Sequence, residues 1–342
     1  MPYDPKNLPA KVLLSANESP YGLADETQAR FLEALATTEL NRYPDPLARD
    51  LRTKIADFCA VPEQYVLIGN GGDELIFNLL LAWGGPGRRL LITPPSFGSY
   101  ELFSQLTGTD LLTLARTKDM RIDEAALLER LGRGDVDLVM FASPNNPTGD
   151  CLHPAFIERV LAATDALVLL DQAYIEFADA AYDATHLLDR FENLAILRTF
   201  SKAFGLAGVR LGYLLASPLV TETLCKVRQP YSVDAVSALA GIAALDTAEI
   251  MQKRAAITVA QRTRVAAALA ALPGVHVFDS EANFLLVRIE GAAGLWQRLL
   301  DEHGVLVRDF SRALGLADCL RVSIGTPAEN DAMLEAIRCV RR

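Results

Sequence analysis

One stretch of the chain carries the residue types that covalent chemistry needs: Leu197-Arg198-Thr199-Phe200-Ser201-Lys202-Ala203-Phe204-Gly205-Leu206-Ala207-Gly208-Val209-Arg210-Leu211-Gly212-Tyr213. An apolar strand breaks into a hydroxyl-rich turn, presents one lysine, loosens through three glycines and presents one arginine before a second apolar run. A lysine taken alone is most often a solvated surface residue. Here Phe200, Phe204, Leu206, Val209 and Leu211 flank Lys202. Apolar surroundings lower a lysine's pKa toward the range where its neutral amine acts as nucleophile or base. Thr199, Ser201 and Arg210 are anion-binding types. Together they suit an amine that reacts with a carbonyl beside a bound phosphate.

Other candidates fall in short polar motifs. The run Ala166-Leu-Val-Leu-Leu-Asp171 reads as a buried strand closing on a carboxylate, and Tyr174 follows three residues later. Such a carboxylate is costly unless it is solvated or paired with a cation, and a protonated pyridine nitrogen is such a cation. In Ser143-Pro144-Asn145-Asn146-Pro147-Thr148-Gly149 two asparagines are held between prolines as pre-positioned donors. Gly69-Asn70-Gly71-Gly72-Asp73-Glu74 joins a strand to a helix, a geometry whose backbone N–H groups and helix dipole hold a phosphate. It matches neither a dinucleotide fingerprint nor a P-loop. Phe97 either stacks on a flat ring or packs under its loop, and Tyr43, fixed by Pro44 and Pro46, is either packed or functional. The segment Asn17-Glu18-Ser19-Pro20-Tyr21-Gly22 is either a plain turn or a substrate-facing loop. A pyridine aldehyde with a phosphate, pyridoxal phosphate, meets the demands of the lysine, the carboxylate and the anion-binding groups together.

These motifs need a scaffold, and the pattern supplies one. Strands at 65–68, 89–93, 111–115, 137–142, 166–171 and 194–197 alternate with helices at 75–83, 99–106 and 124–131, which predicts an α/β fold. Its mainly parallel sheet is sandwiched by helices, and the motifs around Phe97, at 143–149, at Asp171 and at Lys202 sit at strands' carboxyl ends, where such sheets bind ligands. A further strand is expected over 210–216, then helices to 271 with a break at 229–232; the span 236–271 is long enough to bridge two domains. Beyond Pro273-Gly274, shorter strands mixed with helices predict a smaller α+β domain. The expected division is residues 44–245 as the large unit, and 1–43 with 246–342 as the small one.

Composition bounds the rest. The 342 residues carry a net charge of −10, which argues against broad binding to nucleic acid or an anionic membrane. Five cysteines, scattered and without a Cys-x-x-Cys pair, read as reduced thiols of a cytoplasmic protein, and four dispersed histidines predict no metal site. No apolar run reaches membrane-spanning length, and Met1-Pro2-Tyr3-Asp4-Pro5 does not begin a signal peptide.

The motifs resemble those of fold type I pyridoxal-phosphate-dependent aminotransferases of class II, and within them the histidinol-phosphate aminotransferases. The resemblance runs from Asn17-Glu18 through Arg42-Tyr43-Pro44, 143–149, 171–177 and 197–213 to Leu320-Arg321-Val322-Ser323-Ile324-Gly325-Thr326. It implies that Lys202 bonds the cofactor's aldehyde, that Asp171 pairs with the pyridine nitrogen, and that Asn146 and Tyr174 bind the ring oxygen. It implies that Gly72 and Asp73, with Thr199, Ser201 and Arg210, hold the phosphate, that Phe97 stacks on the ring, and that Tyr43 arrives from the other subunit of a homodimer. Arg321 would clamp the substrate carboxylate, with Arg308 and Tyr21 for a substrate phosphate. The implied reaction moves an amino group to 2-oxoglutarate in two ping-pong halves, with histidinol phosphate as donor in histidine biosynthesis. Alternatives within the fold are an aromatic amino-acid aminotransferase and a threonine-phosphate decarboxylase of cobalamin synthesis; outside enzymology, the effector module of a regulator keeps the same fold. Two positions depart from the family pattern, Phe97 for tyrosine and Gln172 for glutamate, and the arm before Asn17 is short.

Overall fold

The structure is a computed structural model that describes residues 8–341. The chain begins β1 (Val12–Leu14), α1 (Asp25–Ala36), α2 (Arg49–Cys59), β2 (Val66–Gly69), α3 (Gly71–Trp83), β3 (Arg89–Ile92), α4 (Ser99–Thr107), β4 (Asp110–Thr113). It continues α5 (Glu124–Leu131), β5 (Leu138–Ala142), α6 (Pro154–Ala162), β6 (Leu167–Asp171), β7 (Leu194–Thr199), β8 (Gly212–Ala216), α7 (Pro218–Val227), α8 (Ala235–Asp246). It ends α9 (Ala248–Ala270), β9 (Val275–Val277), β10 (Phe284–Ile289), α10 (Ala292–His303), β11 (Val305–Asp309), β12 (Cys319–Ser323), α11 (Pro327–Val340).

The larger sheet has the order β2-β8-β7-β6-β5-β3-β4. Strand β8 runs antiparallel to both its neighbours and the remaining pairs are parallel. Parallel strands are covered on both faces, which is why Leu138–Ala142 and Leu167–Asp171 are apolar almost without interruption and buried throughout. On one face α2, α5, α6 and α8 close the core; on the other, α3, α4 and α7 do. The smaller sheet, β1-β11-β12-β10-β9, is antiparallel except for the β1–β11 pair, and packs on α10, α11 and the second half of α9. Helix α1 packs against α8, with Phe31 against the larger core.

The architecture is the α/β sandwich with a smaller α+β part that the alternation predicts, and three details differ. The helical span expected over 236–271 is two helices, parted at Thr247, whose side chain lies 2.7 Å from that of Thr27. Helix α9 alone does the bridging: its 23 residues span about 34 Å, from Met251 and Ala255 in the larger core to Val265 and Leu269 in the smaller. The strand expected from Arg210 opens at Gly212, because Arg210 adopts a left-handed φ of 56° and turns the chain first. The N-terminal stretch, where the alternation begins no strand before residue 65, contains β1, which pairs with a strand some 290 residues away, at Val305–Val307, and so leaves no local sign. Among the described residues no helix is long and apolar enough to cross a membrane, and no three His, Cys, Asp or Glu side chains gather as for a metal ion.

Candidate active site

The carboxyl ends of β3, β5, β6 and β7 converge on one rim of the larger sheet. Asp171, the last residue of β6, lies between Ala142 of β5 and Leu197 of β7. By strand alternation its side chain follows Leu167 and Leu169 onto the α3/α4 face. There Tyr100 donates its hydroxyl to Oδ2 at 2.8 Å and the Ala173 N–H donates to Oδ1 at 3.0 Å. Burial raises the carboxyl to about 6, against the pull of those two donors.

Lys202 lies just past the end of β7, in the turn that Gly205 (φ 70°) closes. Its half-buried ammonium donates to Ala16 O at 3.1 Å and sits 5.7 Å from the centre of the Tyr174 ring. Burial lowers its pKa to about 8, helped by the positive charges of Arg321 and Arg210 and opposed by Glu18 and Asp73.

At one end of this space is the first turn of α3. Arg210 reaches from the turn before β8 to Asp73 Oδ2 at 3.4 Å, and Ser99 donates to Asp73 Oδ1 at 3.3 Å. A Cβ on Gly71, whose φ is 78°, would meet Arg210 Nη2 at 2.8 Å, and one on Gly212 would meet the Gly71 carbonyl carbon at 2.9 Å. Only glycines allow this approach of β8 and Arg210 to the helix start. The leading N–H groups of α3, those of Gly72 and Asp73 among them, have no partner within the helix. Thr199 and Ser201 lie beside them, both buried: the Ser201 N–H donates to Thr199 Oγ1 at 3.1 Å, and Thr199 donates to Leu211 O at 3.2 Å. Phe97, half-buried, meets Tyr100 edge-on at 5.6 Å.

At the other end the two sheets meet through polar side chains. The Tyr174 hydroxyl accepts from Asn17 Nδ2 at 3.1 Å and Asn146 Nδ2 at 3.4 Å. Burial leads in raising its pKa, with Arg321 the largest opposing influence. Arg321, buried in β12, donates to Asn146 Oδ1 and to Ser15 O, both at 2.6 Å, and is flanked by the rings of Phe284 and Phe310 at 5.4 and 5.5 Å. Arg308 of β11 is directly opposite Arg321 in the antiparallel pair, so both side chains issue from the same sheet face. Tyr21 lies under the Arg254 guanidinium at 5.3 Å, and its carbonyl would be 3.1 Å from a Cβ on Gly205.

Lys202, Asp171, Tyr174, Asn146, Asp73, Gly72, Thr199, Ser201 and Arg210 therefore gather at one rim of the larger sheet, and Arg321 of the smaller sheet meets them through Asn146. Tyr43 does not join them within this chain: it is 84 % exposed and stacks on Tyr231 at 4.7 Å. Ser232, next to Tyr231, accepts through its carbonyl from the side chain of Asn70, the residue just before α3, at 3.0 Å.

Sequence reasoning missed two residues here. Tyr100 supplies the side-chain bond to Asp171, and its signal was its place three residues after Phe97 in the first turn of α4. Asn17, in a left-handed conformation (φ 54°), has its N–H, carbonyl and both amide atoms bonded, to Ser323, Asn283 and Tyr174. Gln172, one of the two departures from the family pattern, is fully buried and accepts from Arg198 at 3.0 Å.

A buried strand-end carboxylate, a lysine whose pKa burial lowers, and a helix start flanked by Arg210, Thr199 and Ser201 suit an enzyme that binds a small molecule at the rim of an α/β sheet. Residues 9–337 match the family of class I and II aminotransferases, and the chain belongs to that family. It is a pyridoxal-phosphate-dependent aminotransferase, acting between amino and keto acid substrates. It is 39% identical over 337 residues to histidinol-phosphate aminotransferase 1 of Carboxydothermus hydrogenoformans, covering 98% of this chain and 95% of that one. The solved histidinol-phosphate aminotransferase of Sinorhizobium meliloti, in complex with pyridoxal-5'-phosphate, is similar with a TM-score of 0.89 and 27% identity, covering 97% of this chain and 92% of the other. The L-threonine-O-3-phosphate decarboxylase of Porphyromonas gingivalis is similar too, with a TM-score of 0.85 and 26% identity, over 96% and 99% of the two chains. The donor set fits the cofactor: Asp171 is held by two neutral donors, which leaves its charge for a cation, and burial makes the Lys202 amine easier to deprotonate than an ordinary lysine's.

Proposed function

We propose that the enzyme transfers the amino group of histidinol phosphate to 2-oxoglutarate. The observation that carries this reading is the pair Arg321 and Arg308, two cations opposite each other on one sheet face, with Arg321 bonded to Asn146. Such a pair suits substrates with a phosphate or with two carboxylates. The names of the relatives support it.

In this reading Asp171 keeps a proton on the pyridine nitrogen, and Asn146 and Tyr174 bond the ring oxygen. The N–H groups of Gly72 and Asp73, with Thr199, Ser201 and Arg210, take the cofactor phosphate, and Phe97 covers the ring. Arg321 receives the substrate's carboxylate; Arg308 and Tyr21 meet a phosphate. When bound, pyridoxal phosphate supplies an electron-withdrawing ring that stabilises charge at the substrate's α-carbon. Lys202 takes the proton from that carbon and returns it, a role its lowered pKa suits. Tyr43 reaches the phosphate across a homodimer interface, which its exposure beside the start of α3 supports. Residues 44–245 form the cofactor-holding unit, and 1–43 with 246–342 the unit that carries Arg321. The separate cores around the two sheets support this division, and the packing of α1 on α8 links the units. The enzyme works in the cytoplasm, which its five scattered cysteines, without a Cys-x-x-Cys pair, support.

A spectrophotometric screen of the first half-reaction tests the substrate. Histidinol phosphate should bleach the lysine-bound cofactor at lower concentration than phenylalanine, tyrosine or phosphothreonine. A stronger response to an aromatic amino acid would replace the proposed donor. The likeness to the threonine-phosphate decarboxylase supports a second reading, which release of carbon dioxide from phosphothreonine would establish instead.

A further inference from the structure

Behind the cofactor rim, on the opposite face of the larger sheet, lies a buried polar cluster that the reaction does not use. Arg198 immediately precedes Thr199 in β7, and Gln172 immediately follows Asp171 at the end of β6. Alternation turns Thr199 and Asp171 to the α3/α4 face and Arg198 to the other, with Leu194 and Ile196. Arg198 is 6 % exposed. Its Nη2 donates to Gln172 Oε1 at 3.0 Å, Asp183 Oδ1 at 2.8 Å and Thr185 Oγ1 at 2.9 Å. Gln172 uses its other end as well, Nε2 donating to Tyr182 O at 3.2 Å, and its N–H donates to Leu197 O at 2.8 Å. Opposite Arg198 on β8 stands Tyr213, which accepts from the Cys59 thiol at 3.6 Å.

We infer that Gln172 and Arg198 are positioning residues: they tie the ends of β6 and β7 together from behind, and so fix the distance between Asp171 and the Thr199–Ser201 turn that face the cofactor. The inference rests on the proposed assignment of Asp171 and Thr199 to the cofactor's nitrogen and phosphate. The nitrogen and the phosphate-bearing arm lie on opposite sides of one small ring, so both can be met together only if the strands that carry Asp171 and Thr199 keep their spacing. The backbone ladder between β6 and β7 ends with the Gln172 N–H, so beyond it side chains hold the strands.

The same cluster accounts for a neutral residue at 172. Asp183 and Glu176 already face the single guanidinium. Arg198 holds the Asp183 carboxyl below the usual range despite its burial, whereas burial pushes Glu176 up to about 7, with Arg198 opposing. Among the described residues neither Glu176 carboxylate oxygen has a hydrogen-bond partner. An acid at 172 would make a third anion around one cation; the amide keeps the bond without the charge.

The test is Gln172→Ala in the purified holoenzyme, with three readouts: the dissociation constant for pyridoxal phosphate, the pH midpoint of the lysine-bound cofactor's visible absorbance, and the melting temperature. The expected result is about a tenfold weaker cofactor and a displaced midpoint. Gln172→Glu, which keeps an acceptor for Arg198 but adds a third acid to the cluster, should hold both nearer the parent values than Gln172→Ala does while lowering the melting temperature. A lower melting temperature with cofactor affinity and midpoint unchanged would overturn the inference, leaving the cluster a purely structural one. Should Gln172→Ala not fold, Arg198→Lys takes its place with the same readouts and the same expected and overturning results, since an ammonium keeps the charge but reaches fewer of the three acceptors. Asp171→Asn run in parallel separates the tie from the cofactor assignment. If it leaves affinity and midpoint unchanged, the cofactor assignment fails; if it moves them while Gln172→Ala does not, only the tie fails.

Discussion

A lysine that is to attack an aldehyde must first lose its proton, and Lys202 is placed to do so. Burial disfavours its ammonium and lowers the pKa to about 8. Because the neutral amine is the reactive form, recapture of pyridoxal phosphate by the apoenzyme should accelerate as pH rises through about 8 and level off above it. Stopped-flow absorbance measures this; a rate still climbing toward an ordinary lysine's range would show that the amine is solvated. The Arg321 side chain is the second residue with a sharp consequence. Charge-assisted hydrogen bonds are worth about 1.5 to 3 kcal/mol each, so Arg321→Ala should lower kcat/KM for 2-oxoglutarate by about 100-fold or more, and Arg321→Lys, without the planar fork, should recover little of it. Steady-state kinetics with unchanged kcat/KM would place the clamp elsewhere. Lys202, Asp171, Asn146 and Tyr174 stood out in the sequence because each sits in a short polar motif at or just past the end of an apolar strand, whereas Arg321 stood out only through the family resemblance. Tyr100 and Asn17 were not legible. Their partners lie 71 and 157 residues away, and neither a tyrosine in a first helical turn nor an asparagine in a loop states what it will meet.

At the scale of elements, the site depends on how closely β8 approaches α3. Gly212 opens β8 and pairs with Gly69 on one side and Thr199 on the other. A side chain there would press on the backbone of Gly71 and Gly72 and on the Arg198 carbonyl, none of which can rotate away. Gly212→Ala should therefore push the start of α3 from the Thr199–Ser201 turn and weaken pyridoxal phosphate binding by at least about tenfold. Equilibrium titration of the apoenzyme checks this, and an unaltered affinity would mean that the helix start does not hold the phosphate. The elements themselves were largely readable: apolar runs marked β5 and β6 because both of their faces are covered, and the alternation of helix with strand marked α5. The structure adds that a Thr326–Glu329 capping box opens α11. The break at Thr247 was not readable, since the helical pattern continues through it and only the contact with Thr27 reveals the turn.

The whole molecule is two cores with a seam, and α9 runs through both. On that helix the buried Arg262 donates to the carbonyls of Phe177 at 3.2 Å and Ala282 at 2.9 Å, and to Glu281 at 3.1 Å. It thus pins the loop after Tyr174 to the strand that carries Phe284. Arg262→Met keeps much of the volume but strands these acceptors, and should cost about 2 to 4 kcal/mol of unfolding free energy. Urea denaturation of the holoenzyme measures it; a loss below about 1 kcal/mol would mean that other contacts carry the seam. The sequence indicated two parts but not how they join, because the joining bonds pair residues from opposite ends of the chain. Asn17 is the clearest of these, bonded to Asn283 and Ser323. That connection sets an order in time as well as in space. A chain made from its N-terminus has every residue from Gly72 to Arg210 in hand well before Asn283, Arg321 and Ser323 exist. The newborn protein thus carries the rim of its larger sheet, Asp171 and Lys202 included, while Asn17 still waits for its partners, and Arg321 and Ser323 of the smaller sheet are the last to be born.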